Sequence, residues 1–419
     1  MGEGQMRTNR AAIAAALAAA IAAASAGTAC SPAGEQGETG EAAVDALHRD
    51  SIVVDTHSDT TPWFQDPEWD FAARHETGDM DLPRIREGGL DVQFWSIYLG
   101  RREGDGRAIR EALERIDAVY EMIRRHPGQT ELAKTEADIR RIVADGRIAS
   151  LMGVEGGHII EDNLAVLRTF QRLGVRYMTL THSFHTGWAD SSGTTKVPEP
   201  VHGGLTSFGE EIVREMNRLG MMVDVSHVSD DTFADTIRVS RAPVIASHSS
   251  CRAVADHPRN MTDDMLRALA KNGGVVMINF YPSYIDVEVG KRAREHYETI
   301  KDQMNEIRER AGGDLLLRMR EGRKLNAAHP WPQAPLSTLL DHFDHAIAVA
   351  GADHVGLGAD WDGVPSMPSG LDDVSKLPAL THGLIERGHS PETVRKVLGE
   401  NLLRVMRENE RVARELAGS

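Results

Sequence analysis

The 419-residue chain is poor in cysteine and in clustered positive charge, and each shortage excludes something. Two cysteines, Cys30 and Cys251, cannot build a disulfide scaffold or a cysteine-rich zinc ribbon. Lys and Arg number 47 against 63 Asp and Glu, a net charge of −16 with no basic run, which argues against nucleic acid as a partner. The longest apolar run, Ala11–Ala24, falls short of the roughly 20 residues that a membrane helix needs. No GxGxxG or Walker A motif follows the first strand pattern, which weakens a nucleotide-binding reading. The chain is nevertheless ordinary for a globular protein, 41% hydrophobic and 26% charged, and long enough for a large core. What it has in excess is histidine, 18 residues, the first hint of metal.

The N-terminus stands apart. Arg7 and Arg10, the short Ala-rich run and the small residues SAGTA read as an export signal over residues 1–30. Cys30 follows Gly27-Thr28-Ala29 and precedes a polar stretch, as at a bacterial lipoprotein cleavage site. The expectation is an exported protein, periplasmic or at the cell surface, anchored to the membrane by lipid on Cys30. Residues 31–50 read as a flexible linker, 51–410 as the folded body and 411–419 as a tail. Cys251 has no partner within an exported chain and reads as a small buried residue.

From Ser51 onward, short apolar runs alternate with amphipathic helical patterns. Strand candidates lie at 51–58, 90–100, 148–157, 176–183, 221–229, 242–250, 274–283 and 354–363. Their cores lack strict alternation, as in parallel strands buried on both faces. Several helical stretches between them end in glycine, a helix stop signal. Eight strands alternating with helices predict a (β/α)8 TIM-like barrel of one domain. A charged helical segment, 286–335, interrupts the rhythm between the seventh and eighth strands and reads as an insertion over the barrel mouth or at a subunit edge.

In such a barrel, active sites gather at the C-terminal ends of the strands. His57 and Asp59 end the first run, Glu155 the third, His182 the fourth, His227 the fifth, His248 the sixth, and Asp360 and Asp362 the eighth. His57 and Asp59, two apart on an extended strand, point to one side and can share an ion. Imidazole and carboxylate suit zinc and related cations. Glu155 lies between imidazole groups and can bridge two cations; His227 and His248 end consecutive strands and can reach one ion together. Asp360, beside His57 once the barrel closes, is placed to carry the proton of a water. His158, His185, His202 and His257 read as loop residues or as supports behind the site's ligands, and His342, His345, His354 and His382 as structural ones.

At this point DTHSDT (55–60), GVEGGH (153–158), LTHSFHTGWAD (180–190), DVSHVS (224–229), SRAPVIASHSS (240–250), PRN (258–260), INFYPSY (278–284), GLGADWDGVP (356–365) and ENLLRV (400–405) together resemble the membrane (renal) dipeptidases. The resemblance runs from about Ser51 to Arg407. It implies a zinc-dependent dipeptidase with two Zn2+ per subunit, in which activated hydroxide attacks the peptide carbonyl of small L-L and L-D dipeptides. His57 and Asp59 would hold one zinc and His227 and His248 the other, with Glu155 bridging. By the same resemblance His182 contacts substrate and steadies the oxyanion, Arg259 grips the substrate carboxylate, and Asp360 handles the proton. Mammalian members carry a cysteine where Phe184 stands here and link subunits by a disulfide, so a homodimer of this chain would be non-covalent. They also carry a C-terminal lipid anchor, whereas RVARELAGS shows no hydrophobic tail. A barrel hydrolase for another amide, ester or lactam is the alternative; a non-catalytic metal-binding surface protein would not need Asp360 or His182.

Overall fold

The computed structural model describes residues 33–100, 106–194 and 196–418. The chain divides into two compact units, residues 1–43 and 44–419, and the account below concerns the second. The export signal and Cys30 lie outside the described residues.

Among the described residues nine parallel strands form one sheet: β1 (Val54–Ser58), β2 (Val92–Tyr98), β3 (Thr130–Leu132), β4 (Ile148–Glu155), β5 (Val175–Thr179), β6 (Met222–Asp224), β7 (Ile245–Ser249), β8 (Val275–Ile278) and β9 (Val355–Leu357). Eight of them close a ring, β1-β2-β4-β5-β6-β7-β8-β9, because β2 pairs with β4 and β9 returns to β1. This is the expected (β/α)8 barrel; seven of its strands fall inside the predicted runs, and β5 starts one residue before its run, at Val175. The ninth, β3, was not anticipated. It is three residues long, is only partly buried, and pairs with the start of β4, on the edge that β5 takes further along.

The reason for continuous apolar runs is visible in the packing. Residues of one parity along the strands, such as Phe94, Leu151, Tyr177 and Met277, join one buried cluster, while Trp95, Val154, Met178 and Ile278 join another. Both faces of the barrel strands are therefore largely dry, one toward the barrel interior and one toward the helices. The helix Ser207–Leu219 is capped by Thr206 and stops at Gly220 at φ 67°; Asp263–Asn272 is capped by Thr262 and stops at Gly273 at φ 85°.

Two boundaries differ from expectation. The stretch read as a linker carries a helix, Ala33–Arg49; its Leu47 and His48 are buried, and His48 bonds Thr381 Oγ1 at 2.7 Å and the Gly88 carbonyl at 2.9 Å. The glycines and glutamates before Val44 hid an apolar spacing that starts only there. The stretch read as a tail continues the last helix, Asn401–Ala417, which buries Val412. The segment between β8 and β9 is helical as expected, with Val287–Ala311 and Leu315–Ala328 as its main elements. Among the described residues no helix is long and apolar enough to cross a membrane.

Candidate metal centre at the barrel mouth

The strand ends and the loops just beyond them bring the predicted residues together. His57 lies on β1, Glu155 ends β4 and His248 lies on β7; His182, His227 and Asp360 sit three residues past β5, β6 and β9. Glu155 is the hub. Its Oε1 lies 3.2 Å from His227 Nε2, 3.4 Å from His248 Nε2 and 3.5 Å from His182 Nε2, and its Oε2 lies 3.5 Å from His57 Nε2. His57 Nε2 is 3.8 Å from Asp59 Oδ2, and the His227 and His248 Nε2 atoms face each other at 2.8 Å. Three compact donor groups result: His57–Glu155–His248, Glu155–His182–His227 and His57–Asp59–Asp360.

Charge explains why a cation fits. Burial pushes the His227 and His248 imidazoles well below their ordinary pKa, and the Arg259 charge adds to this, so both stay neutral. Burial would also lower His57, but Tyr177, Glu155 and Asp59 facing it reverse the direction and favour positive charge at Nε2. Burial would raise the Glu155 carboxyl, yet the imidazoles around it hold it well below the usual range. His57 Nε2 and Asp59 Oδ1 are buried with no hydrogen-bond partner. A buried carboxylate ringed by imidazole lone pairs, with such orphans beside it, fits divalent cations of borderline softness such as zinc.

Hydrogen bonds behind the imidazoles aim those lone pairs. The Tyr177 hydroxyl donates to the Thr56 carbonyl at 3.0 Å, so at 2.9 Å it accepts from His57 Nδ1–H, leaving His57 Nε2 free for a cation. Ser247 Oγ donates to Asp224 Oδ2 at 2.6 Å and accepts from His248 Nδ1–H at 2.8 Å, with the same effect on His248. Sequence reasoning missed Tyr177, Asp224 and Ser247. A strand tyrosine reads as core, and what singles out Tyr177 is Gly153 opposite it on β4, where a Cβ would come within 1.9 Å of the ring.

The backbone is strained here. His227, Asp360 and Asp362 adopt φ of 67°, 69° and 63°, a region that costs non-glycine residues about 1–3 kcal/mol each. The His227 carbonyl is held by Thr181 Oγ1 at 2.9 Å and the Ser192 amide at 2.9 Å. Asp360 accepts from Asn279 Nδ2 at 3.0 Å; burial raises its carboxyl to about 6, with Asp59 and Glu155 opposing ionisation and His57 favouring it. The Arg259 guanidinium donates to the His248 carbonyl at 3.1 Å and lies over the Tyr284 ring at 5.5 Å, while its Nε is buried and unpartnered. The His182 ring lies tilted against those of His227 and Tyr98, at 4.3 and 5.0 Å between ring centroids.

The four histidines read as structural are held by hydrogen bonds of their own. His342 bridges the Cys251 amide and the Ile285 carbonyl, His345 pairs with Asp263, His382 with Asp45, and His354 reaches the Gly274 carbonyl. Cys251 is buried and free, its thiol pushed up to about 12 by burial.

A dry parallel barrel with ionisable residues gathered at its mouth is where barrel enzymes build their active sites, and comparison with known proteins says which class this one joins. Residues 41–419 match the family described as membrane dipeptidase (Peptidase family M19). Dipeptidase 3 of Mus musculus is 39% identical over 381 residues, 89% of this chain and 67% of that protein. The probable dipeptidase PvdM from Pseudomonas aeruginosa superposes with a TM-score of 0.76 at 25% identity, covering 90% of this chain and 100% of that one. A metallo peptidase from Rhodobacter sphaeroides, solved with a phosphinate mimic of the dipeptide L-Ala-D-Ala, gives 0.70 at 27% identity over 86% of this chain and 100% of that one. The chain therefore belongs to the membrane dipeptidase family and is a metallo-dipeptidase.

Proposed function

We propose that the protein is a binuclear zinc dipeptidase, cleaving L-L and L-D dipeptides that carry a free carboxylate. The observation that carries this reading is the convergence of four imidazole Nε2 atoms on the Glu155 carboxylate, each within 3.2–3.5 Å. Glu155 would bridge two cations, with His57 and Asp59 on one side and His227 and His248 on the other. When bound, such ions lower the pKa of water toward about 7 and polarise a carbonyl.

The chain's own residues supply the rest. Arg259, with its buried, unpartnered Nε, is the charge that would take the substrate carboxylate; a charge-assisted pair there selects short peptides with a free C-terminus. His182, at the edge of the cluster, would donate from its ring to the oxygen that gains charge during attack, an interaction typically worth about 3–4 kcal/mol. Asp360 would accept the proton of the attacking water and deliver it to the leaving amine, a task suited to a carboxyl raised to about 6. The L-Ala-D-Ala mimic bound by the Rhodobacter sphaeroides relative supports including L-D substrates.

Arg7, Arg10, the apolar run Ala11–Ala24 and the small residues before Cys30 support export and lipid attachment at Cys30. A homodimer would be non-covalent. The test is a panel of L-L, L-D and N-acetylated dipeptides offered to residues 31–419, with chelator and with added zinc. Chelator-sensitive cleavage of free L-L and L-D dipeptides is expected. No cleavage by zinc-loaded protein would move the substrate to another amide, ester or lactam.

A further inference from the structure

The helical segment between β8 and β9 is tied to the mouth by one buried charge cluster. Arg323, on the helix Leu315–Ala328, donates to Asp79 Oδ1 at 2.9 Å and Oδ2 at 3.2 Å, and also to Asp362 Oδ1. The two carboxylates are interlocked independently of it: the Asp79 amide donates to Asp362 Oδ1 at 2.9 Å and the Asp362 amide to Asp79 Oδ2 at 2.8 Å. Thr60 Oγ1, next to Asp59, donates to Asp362 Oδ2 at 2.6 Å. Asp362 is buried and follows Asp360 by two residues, and both hold left-handed backbone that needs external support. Three loops meet at this cluster: the one after β1 that carries Asp59, the one that carries Asp79, and the one after β9 that carries Asp360.

We propose that Arg323 is a positioning residue for Asp360, so that the helical insertion, rather than the barrel alone, sets the rate of the chemical step. The proposal rests on the role given to Asp360 above. Without the guanidinium, Asp79 and Asp362 face each other as buried like charges, joined only by their amides. The loop then relaxes and carries Asp360 with it. A second link between insertion and barrel, Arg320 to Asp66, lies on the same helix and approaches neither Asp360 nor Asp362 within any contact of its own.

The experiment compares zinc-loaded parent, Arg323→Met, Arg323→Lys and Arg320→Met on one free L-L dipeptide, with zinc content and circular dichroism for each. Arg323→Met is expected to lower kcat about 10- to 100-fold with KM within about twofold and zinc content unchanged. Arg323→Lys, keeping charge without the two-armed fork, recovers part of that loss. Arg320→Met stays within about twofold of the parent. The proposal is overturned if Arg323→Met keeps the parent kcat, if Arg320→Met loses as much, or if the loss falls in KM or in zinc. If Arg323→Met does not fold, parental kcat in Arg323→Lys overturns it instead. No turnover by the parent overturns the dipeptidase reading and this proposal together, whereas turnover by parent and Arg323→Met alike removes only this one.

Discussion

Replacing Tyr177 with Phe removes one oxygen from the barrel interior and leaves the ring in place. That oxygen accepts from His57 Nδ1–H at 2.9 Å and donates to the Thr56 carbonyl at 3.0 Å. Both groups are buried, so no water replaces it. Leaving a buried donor unpaired costs about 1–3 kcal/mol. Spread over the unfolding entropy of a domain of this size, about 0.8 kcal/mol per degree, that lowers Tm by only about 1–4 °C. The larger effect falls on the metal. His57 loses the partner that keeps its proton on Nδ1, and the tautomer with Nε2–H, which cannot bind a cation, becomes available. Loss of such a partner typically weakens metal affinity or activity about 10- to 100-fold. The assay is zinc affinity by competition with a chelator, alongside Tm. Affinity within about twofold of the parent in a normally folded variant would refute the argument that Tyr177 sets the His57 tautomer.

Other perturbations separate the parts of the site. Gly363→Ala places a Cβ 2.3 Å from both Asp360 Oδ1 and Asp59 Oδ2, so both carboxylates must move. Its kcat is expected to fall about 100-fold while its circular dichroism spectrum is retained, and a kcat near the parent's would show that the carboxylates tolerate displacement. Arg259→Ala is expected to lower kcat/KM for free dipeptides about 10- to 100-fold, mostly through KM; an unchanged KM would dismiss the carboxylate grip. The pH profile follows Asp360, raised to about 6 chiefly by burial. As proton acceptor it must be ionised, so kcat falls as pH drops through its pKa. Nearby cations favour the ionised form and move that limb lower, so an acid limb centred above pH 7 would contradict the assignment.

The barrel was legible because a parallel strand dry on both faces has a plain signature. Phe94 and Trp95, adjacent in sequence, point into different apolar clusters, and neither face needs polar residues. The mouth was legible for the opposite reason: His57, Glu155 and His248 are ionisable groups at the ends of apolar runs, where only a site explains them. The support behind the site was not legible. Tyr177 looks like core until the β4–β5 register sets it against Gly153, and register depends on the closed sheet. Arg323 lies among other charged residues of a helix that buries none of its own residues, and only the tertiary fold brings it to Asp79 and Asp362. The helix Ala33–Arg49 was missed because its apolar positions begin at Val44, near its end.

The central claim is that two cations share Glu155, and a zinc titration tests it most directly. Metal-free protein is titrated with zinc while hydrolysis of a free dipeptide is followed, for the parent and for Glu155→Gln. The parent's activity should rise to a plateau at two zinc ions per chain, and Glu155→Gln should bind less zinc and fail to reach that plateau. A parent plateau at one equivalent, or full activity in Glu155→Gln, would contradict the account.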